Sequence, residues 1–407
     1  MLEKAYHHLI ASLNPEKLTI NFFKKNALKH DLFDVLAIGK ASIPMAGGFS
    51  QIYPVSRGLI VSPYMASVPE NFELCLSSHP DIGERSLFCA KKVVNFLKES
   101  NNKMLVLLSG GGSALIEIPL DFLTIDEVRC VNRLLLRSGI PIEEVNFMRI
   151  HLSRIKGGGL SKFISGPSEC FVLCDVLNNR IDRVSSAPFY RIERDYNVFF
   201  DKADRFGLWN CIPRSKRGFF ETGCSIEGVS IPHTIMASNR DCVDFFSDFF
   251  MSDGLFFKKE YDFVFKDVEV EAEKMFNIAK ELNCGQGFVA GGEAVVNVKG
   301  NGIGGRTTEL GLRFIKRFVI RKFEMDMEFL FATTDGVDGN SGCAGVYVSR
   351  DTFRRICRNE SVDSIDSYLL NSNSASFFKK YDCLITTGPT YNNLLDVYAF
   401  FVFQKPC

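Results

Sequence analysis

The sequence predicts an α/β protein of two domains, an N-terminal Rossmann-like parallel sheet flanked by helices and a C-terminal mixed α/β domain. Short apolar runs alternate with helical patterns through the first half, glycine clusters follow several of those runs directly, and the character of the chain changes near Pro232. Alternating strand and helix signals are the pattern of a parallel sheet whose crossovers cover its faces. The change near Pro232 sets the expected domains at 1–232 and 233–407.

The opening stretch "MLEKAYHHLIASLNPEKL" reads as an amphipathic helix, and its early acids and histidines are unlike a secretory leader. Five apolar runs then read as buried strands: "DVLAIG" from Asp34, "GLIVS" from Gly58, "FELCLSS" from Phe72, "KMLVLLS" from Lys103 and "CFVLCDV" from Cys170. Between them, "TIDE" at Thr124 has the hydroxyl-to-acid spacing of a capping box and opens a helix expected to end at Gly139. A second helix is expected from Pro141 through Lys156, up to the glycines at Gly157. The stretch from Asn178 to Gly228 shows no period and reads as a loop or surface insertion. Beyond Pro232 come a strand in "IPHTIMASN", a helix from Asp267 to Leu282 and a strand in "MEFLFATT".

Composition narrows the function. The chain has 407 residues, with 48 basic and 48 acidic side chains, so net charge gives no footprint for nucleic acid. No run approaches the roughly eighteen apolar residues of a membrane span. Thirteen scattered cysteines without a compact frame point to reduced thiols and a cytoplasmic enzyme of small molecules.

The glycines carry the chemistry. "LSGGGSAL" (Leu108 to Leu115) places three glycines between a strand and a helix-like run, where backbone can approach an anion closely. "GNGIGG" matches a dinucleotide loop through Gly300, Gly302 and Gly305, but Glu324 and Asp326 come before the next strand rather than at its end, where a ribose would need an acid. "GKAS" at Gly39 lacks the first glycine and the hydroxyl residue of a P-loop, and "SRIK" at Ser153 lacks the companion motifs of a serine hydrolase.

Taken in order, "GKAS", "SHP" at Ser78, "LSGGGSAL", "NFMRIHLSRIKGGGL", "GGE" at Gly291, "GNGIGGRTTEL", "TTDGVDG" and "TTGPTYNNLLD" resemble the class II glycerate kinases with their C-terminal MOFRL domain. The resemblance implies transfer of phosphate from ATP, with Mg2+, to D-glycerate or a related sugar acid, usually at the 2-hydroxyl, in a cleft between two α/β domains.

Residue chemistry fits that implication. Lys40 and Arg306 supply positive charge for a moving phosphoryl group, with Asp335 the third candidate catalytic residue. Asp335 and Asp338 are the candidate magnesium ligands. Ser109, Gly110, Gly111, Gly112 and Ser113 are expected to cradle phosphate or glycerate, joined by Lys156, Glu293, Gly304, Gly305, Thr390 and Asn393. His151 reads as a packed histidine. The family's usual pieces depart here at Asn178 and Asn179, at "SSAPF" where "ASGPT" is usual, at Thr307 and Thr308 in place of two amides, and at Gly342 in place of an acid. Two other readings stay open: an NAD(P)-dependent hydroxypyruvate reductase, and a catalytically weakened ligand-binding homologue.

Overall fold

The computed structural model of the chain describes residues 1–29, 32–138, 140–222 and 228–404. Two compact units emerge, one of Pro15–Met236 and the other of Met1–Asn14 with the chain from Ala237 onward. The opening helix Leu2–Ser12 therefore packs with the second unit, whereas the sequence reading placed it in the first.

The first unit is built on strands β1 (Phe33–Ile38), β2 (Val55–Ser62), β3 (Phe72–Leu76), β4 (Lys103–Leu108), β5 (Ser168–Cys174) and β6 (His233–Ser238). Their order is β3-β2-β1-β4-β5-β6, and β1 to β5 pair in parallel. Strand β1 is buried along its whole length, as a central parallel strand covered on both faces must be. Leu36, Ile38, Val106, Leu108 and Val172 pack there against Val93 and Leu97 of the helix Glu84–Lys98.

A separate apolar cluster joins the helices Ile125–Arg137 and Ile142–Leu152 to Phe199, Phe200, Leu208 and Phe220. The stretch expected to be a loop or insertion thus contains a helix, Tyr196–Phe206, capped by Asp195 and burying Phe199 and Phe200. The helix expected to reach Lys156 stops at Leu152. Ser153 turns extended and bridges to Pro119, and the Arg154 N–H donates to the Ile118 carbonyl, so "SRIK" is not helical. Gly139, the expected helix stop after Arg137, lies outside the described residues. The reduced-thiol expectation also needs correction, because Cys75 is bonded to Cys89 and Cys130 to Cys211.

The second unit holds β7 (Phe256–Val264), β8 (Gln286–Gly292), β9 (Asp326–Thr333), β10 (Gly345–Val348), β11 (Leu384–Ile385) and β12 (Asp396–Gln404) in the order β11-β10-β9-β12-β8-β7. Only β7 and β8 run parallel, and the remaining pairs are antiparallel. Phe314 and Phe318 of the helix Arg306–Arg321 pack onto Phe329, Phe331 and Phe400. Among the described residues no helix is long and apolar enough to cross a membrane.

The capping box read from "TIDE" is present. The Glu127 N–H donates to Thr124 Oγ1 at 3.2 Å, and the Thr124 N–H donates to Glu127 Oε2 at 2.7 Å. Thr124→Ala is expected to cost about 1 kcal/mol, read as a lower denaturation midpoint with unchanged ligand affinity. An unaltered midpoint would show that the cap contributes nothing.

Candidate active site

The order of the parallel sheet reverses between β1 and β4, so their carboxyl ends open a crevice at the topological switch point, the usual place for a ligand in such sheets. The two strand ends are stitched together. The Ser109 N–H donates to the Ile38 carbonyl at 2.9 Å, the Lys40 N–H to the Gly110 carbonyl at 2.9 Å, and the Ala41 N–H to Ser109 Oγ at 3.0 Å. Gly39 adopts φ 129°, and a Cβ there would stand 2.1 Å from Ser109 Oγ. Gly111, at φ 89°, faces the aliphatic stem of Lys40 and the imidazole of His79, which a Cβ would meet at 3.1 and 3.4 Å.

Hydroxyls and amides continue the ring around Gly111. Ser113 Oγ lies 2.8 Å from Ser186 Oγ, and Ser186 Oγ donates to Asn146 Oδ1 at 3.2 Å, so Ser113 is the donor of the first bond. Arg149 Nη1 donates to the same Asn146 oxygen at 3.3 Å, and its Nε donates to Asn132 Oδ1 at 2.8 Å. Ser185, Ser186 and Ala187 run through left-handed backbone at φ 52°, 59° and 54°. Such conformations cost non-glycine residues about 1 to 3 kcal/mol each and persist only where surroundings fix them. Here Ser185 Oγ accepts from the Gly112 N–H at 3.0 Å and donates to the Ser109 carbonyl at 2.8 Å.

The ring is electropositive. Among the described residues neither Lys40 nor Arg149 has a carboxylate within ion-pair distance. Desolvation pulls Arg149 down to about 10 despite the attraction of Glu117. Desolvation, helped by the charges of Lys40 and Arg149, holds His79 at about 4, so its imidazole is neutral near pH 7.

Several expected ligands have other work. Lys156 is buried in an ion pair with Glu117, also buried, and its charge is met internally, so it is not an open anion ligand. The Ser109 hydroxyl and the Gly112 amide are consumed by the stitching of the loops. His151 is packed, as expected, between Phe147 and Phe199.

In the second unit, Arg306 opens its helix directly after Gly304 and Gly305. Its fork grips Asp396 through Nε–Oδ2 at 2.6 Å and Nη2–Oδ1 at 2.8 Å, while Nη1 meets Glu293 Oε1 at 2.6 Å. Asp396 is fully buried and also accepts from the Tyr398 hydroxyl at 2.8 Å. Burial pushes Asp396 up to about 7 against the pull of Arg306, and the two carboxylates raise Arg306 further above its ordinary value.

Asp335 follows β9 in "TTDG". Its Oδ1 accepts from the Val337 N–H at 3.0 Å, and its main-chain carbonyl accepts from the Thr390 N–H at 3.1 Å. The side chain is half-buried, and one carboxylate oxygen remains for a cation. Asp338 differs. It is fully buried, with Oδ1 and Oδ2 accepting from the N–H groups of Thr307 and Thr308 at 3.0 and 2.9 Å. It caps the helix of Arg306, and a Cβ on Gly305 would stand 2.4 Å from its carboxyl carbon. Asp335 thus keeps a carboxylate oxygen suited to magnesium, whereas both oxygens of Asp338 are taken by the helix start. The Thr390 hydroxyl donates to the Thr334 carbonyl at 2.6 Å and accepts from the Asn392 N–H, which makes it a brace of the loop, and Asn393 is likewise engaged.

The "GNGIGG" glycines are also accounted for. Side chains at Gly300, Gly302 and Gly304 would collide with Asn371, Asn373 and Ser374, so these glycines admit neighbouring chain rather than a pyrophosphate. Sequence reasoning missed His79, Asn146, Arg149, Ser185, Ser186 and Asp396 as members of the two clusters. Only Asn146 and Arg149, three apart in one helix, carried a spacing signal.

The sequence matches the domain of unknown function DUF4147 over residues 1–221 and the MOFRL family over residues 286–396. It is 30% identical to the D-glycerate 2-kinase of Thermotoga maritima, covering 91% of this chain and 90% of that protein. It is 27% identical to a putative hydroxypyruvate reductase of Agrobacterium vitis, covering 99% and 94%. The crystal structure of glycerate kinase from Thermotoga maritima superposes with a TM-score of 0.86 at 26% identity, over 98% of both chains. A DUF4147 region followed by a MOFRL region, on this pair of sheets, places the chain in the class II glycerate kinase family.

Proposed function

We propose that this protein transfers the terminal phosphoryl group of ATP, with magnesium, to a hydroxyl of D-glycerate, giving 2-phosphoglycerate. The observation that carries the reading is the placement of Lys40, free of any carboxylate partner among the described residues, against the glycine loop at the switch point of the parallel sheet.

In the reaction a bond forms from the substrate hydroxyl oxygen to phosphorus while the bond from phosphorus to the ADP oxygen breaks, and the hydroxyl proton is released to solvent. The transition state is loose and spreads charge over the equatorial phosphoryl oxygens, so positioning and fixed positive charge do most of the catalysis. Lys40 supplies that charge from a flexible stem whose backbone is fixed by the Gly110 carbonyl. Neutral His79 offers a hydrogen bond without adding a competing cation. Arg306 is held in one orientation by the buried Asp396, which leaves the side bonded to Glu293 as the one a phosphate oxygen reaches. Asp335 would hold the metal through its remaining carboxylate oxygen, where magnesium would supply positive charge to the phosphate oxygens.

A coupled assay tests the reading. ADP is expected only when ATP, magnesium and D-glycerate are all present, and NADH oxidation with hydroxypyruvate is expected to be negligible. Robust NADH turnover without ATP would replace the kinase with the reductase, and binding of D-glycerate without turnover would favour the weakened homologue. Lys40→Met should lower turnover on the order of ten- to a thousand-fold at an unchanged melting temperature.

The two aspartates separate metal binding from capping. Asp335→Asn keeps the turn and loses the charge, so activity should fall strongly and recover in part at raised magnesium, in a protein that melts normally. Asp338→Asn removes a charge from a helix start and should cost about 1 to 2 kcal/mol while leaving the magnesium dependence alone. Wild-type magnesium dependence in Asp335→Asn would remove it from the metal site.

A further inference from the structure

Arg149 is a cation that phosphoryl transfer by Lys40 and Arg306 does not use. It projects from the helix Ile142–Leu152 into the ring around Gly111, and two neutral amide oxygens hold its Nε and Nη1. Nη2 carries neither of those bonds. The acid nearest in electrostatic terms, Glu117, already neutralises Lys156 in the buried pair beneath, so the guanidinium charge is left uncompensated. Asn132 Nδ2, on the far side of the same contact, is buried without a partner, which marks the amide as placed for its oxygen to orient Arg149.

We propose that Arg149 is the anchor for the carboxylate of the acid substrate, with the His79 imidazole completing the subsite. The assignment rests on the kinase reading for the identity of the acid, and on geometry for the site itself. A planar guanidinium held at one edge offers its remaining N–H groups in a fixed fork, which matches the two oxygens of a carboxylate. A lysine on a flexible stem after a glycine suits a phosphate that moves during reaction, and Lys40 occupies that position. The loop and hydroxyl groups between the two cations leave the substrate hydroxyl to face Lys40 once its carboxylate sits on Arg149. A ligand without a carboxylate would leave a desolvated charge unmet, so the same contact sets specificity for acids over their uncharged analogues.

The test measures binding and turnover with D-glycerate and with its uncharged amide, D-glyceramide, in wild type, Arg149→Gln and Arg149→Lys. Wild type should bind D-glycerate far more tightly than D-glyceramide by calorimetry without nucleotide. Arg149→Gln should raise KM for D-glycerate roughly 10- to 100-fold, leave KM for ATP unchanged and erase the preference over the amide. Arg149→Lys keeps the charge and loses the fork, and should fall between the two. A purely structural role would shift melting temperature and kcat without touching the acid-over-amide ratio. Equal wild-type affinity for acid and amide, or an unchanged KM for D-glycerate in either folded variant, overturns the anchor. Tight D-glycerate binding that depends on Arg149 but yields no ADP would sink the kinase reading and keep the anchor, whereas ADP formation at unchanged KM does the reverse.

Discussion

The contact between the ends of β1 and β4 governs the first unit's chemistry. Gly39 must lack a side chain, because Ser109 fills the space where one would be, and its φ of 129° turns the chain sharply out of the strand. The same turn delivers Lys40 to the Gly110 carbonyl and directs its stem along Gly111. Any residue larger than glycine at position 39 would part the strand ends and separate the ammonium from the loop. The cation proposed for catalysis is thus placed by backbone packing at a switch point, before any side-chain hydrogen bond is made.

The two units hold charge in opposite ways. Around Gly111 the cations Lys40 and Arg149 face a neutral histidine and neutral hydroxyls and amides, and the nearby acid is committed to Lys156. That balance suits a ligand bearing net negative charge. Around Arg306 the carboxylates of Asp396 and Glu293 outnumber the single guanidinium. Such a balance suits an anion only when a divalent cation arrives with it. Asp396 also shows why one buried acid matters more than several exposed ones. Buried from bulk solvent, it holds the Arg306 fork by two short bonds and fixes the direction in which the remaining N–H groups point.

How much of this was legible depends on whether a signal was local. The five strands of the parallel sheet and the Thr124 capping box were readable because apolar runs and cap spacing are properties of neighbouring residues. Lys40, Gly111, Ser113, Arg306 and Asp335 were nominated through motifs whose glycines announce close backbone approach, and the structure sets Lys40 against Gly111 and Arg306 against Asp396 and Glu293. Lys156 and Asp338 were misjudged for one reason. A charged residue beside glycines looks the same in sequence whether it faces solvent or a buried partner, and Glu117 and the Thr307 and Thr308 amides lie far away in the chain. Asp396 was missed for the converse reason, since it opens β12 with its partner Arg306 on a distant helix. The Tyr196–Phe206 helix was missed because its Phe199 and Phe200 are buried by helices from another part of the chain, which local periodicity does not report.

The departures from the family's usual pieces bear on whether the site is intact. Three consecutive left-handed residues in Ser185-Ser186-Ala187 would come more cheaply with glycine, as the usual "ASGPT" offers at one place. What the serines gain is chemistry: Ser185 Oγ ties the Gly112 amide to the Ser109 carbonyl, and Ser186 Oγ links Ser113 to the Asn146 oxygen that also holds Arg149. Asn178 and Asn179 take φ of 56° and 52°, a region asparagine enters more readily than most side chains. Thr308 closes its own helix start, accepting from the Gly305 N–H at 2.8 Å and from Ser374 Oγ at 2.9 Å. Gly342 sits at φ 71° with open space around it, so its substitution for an acid removes a charge without opening the packing. The strain at residues 185 to 187 is therefore matched by hydroxyls that close the ring around Gly111, so that departure changes how the ring is lined while Gly39, Lys40 and Gly111 keep the geometry that makes it.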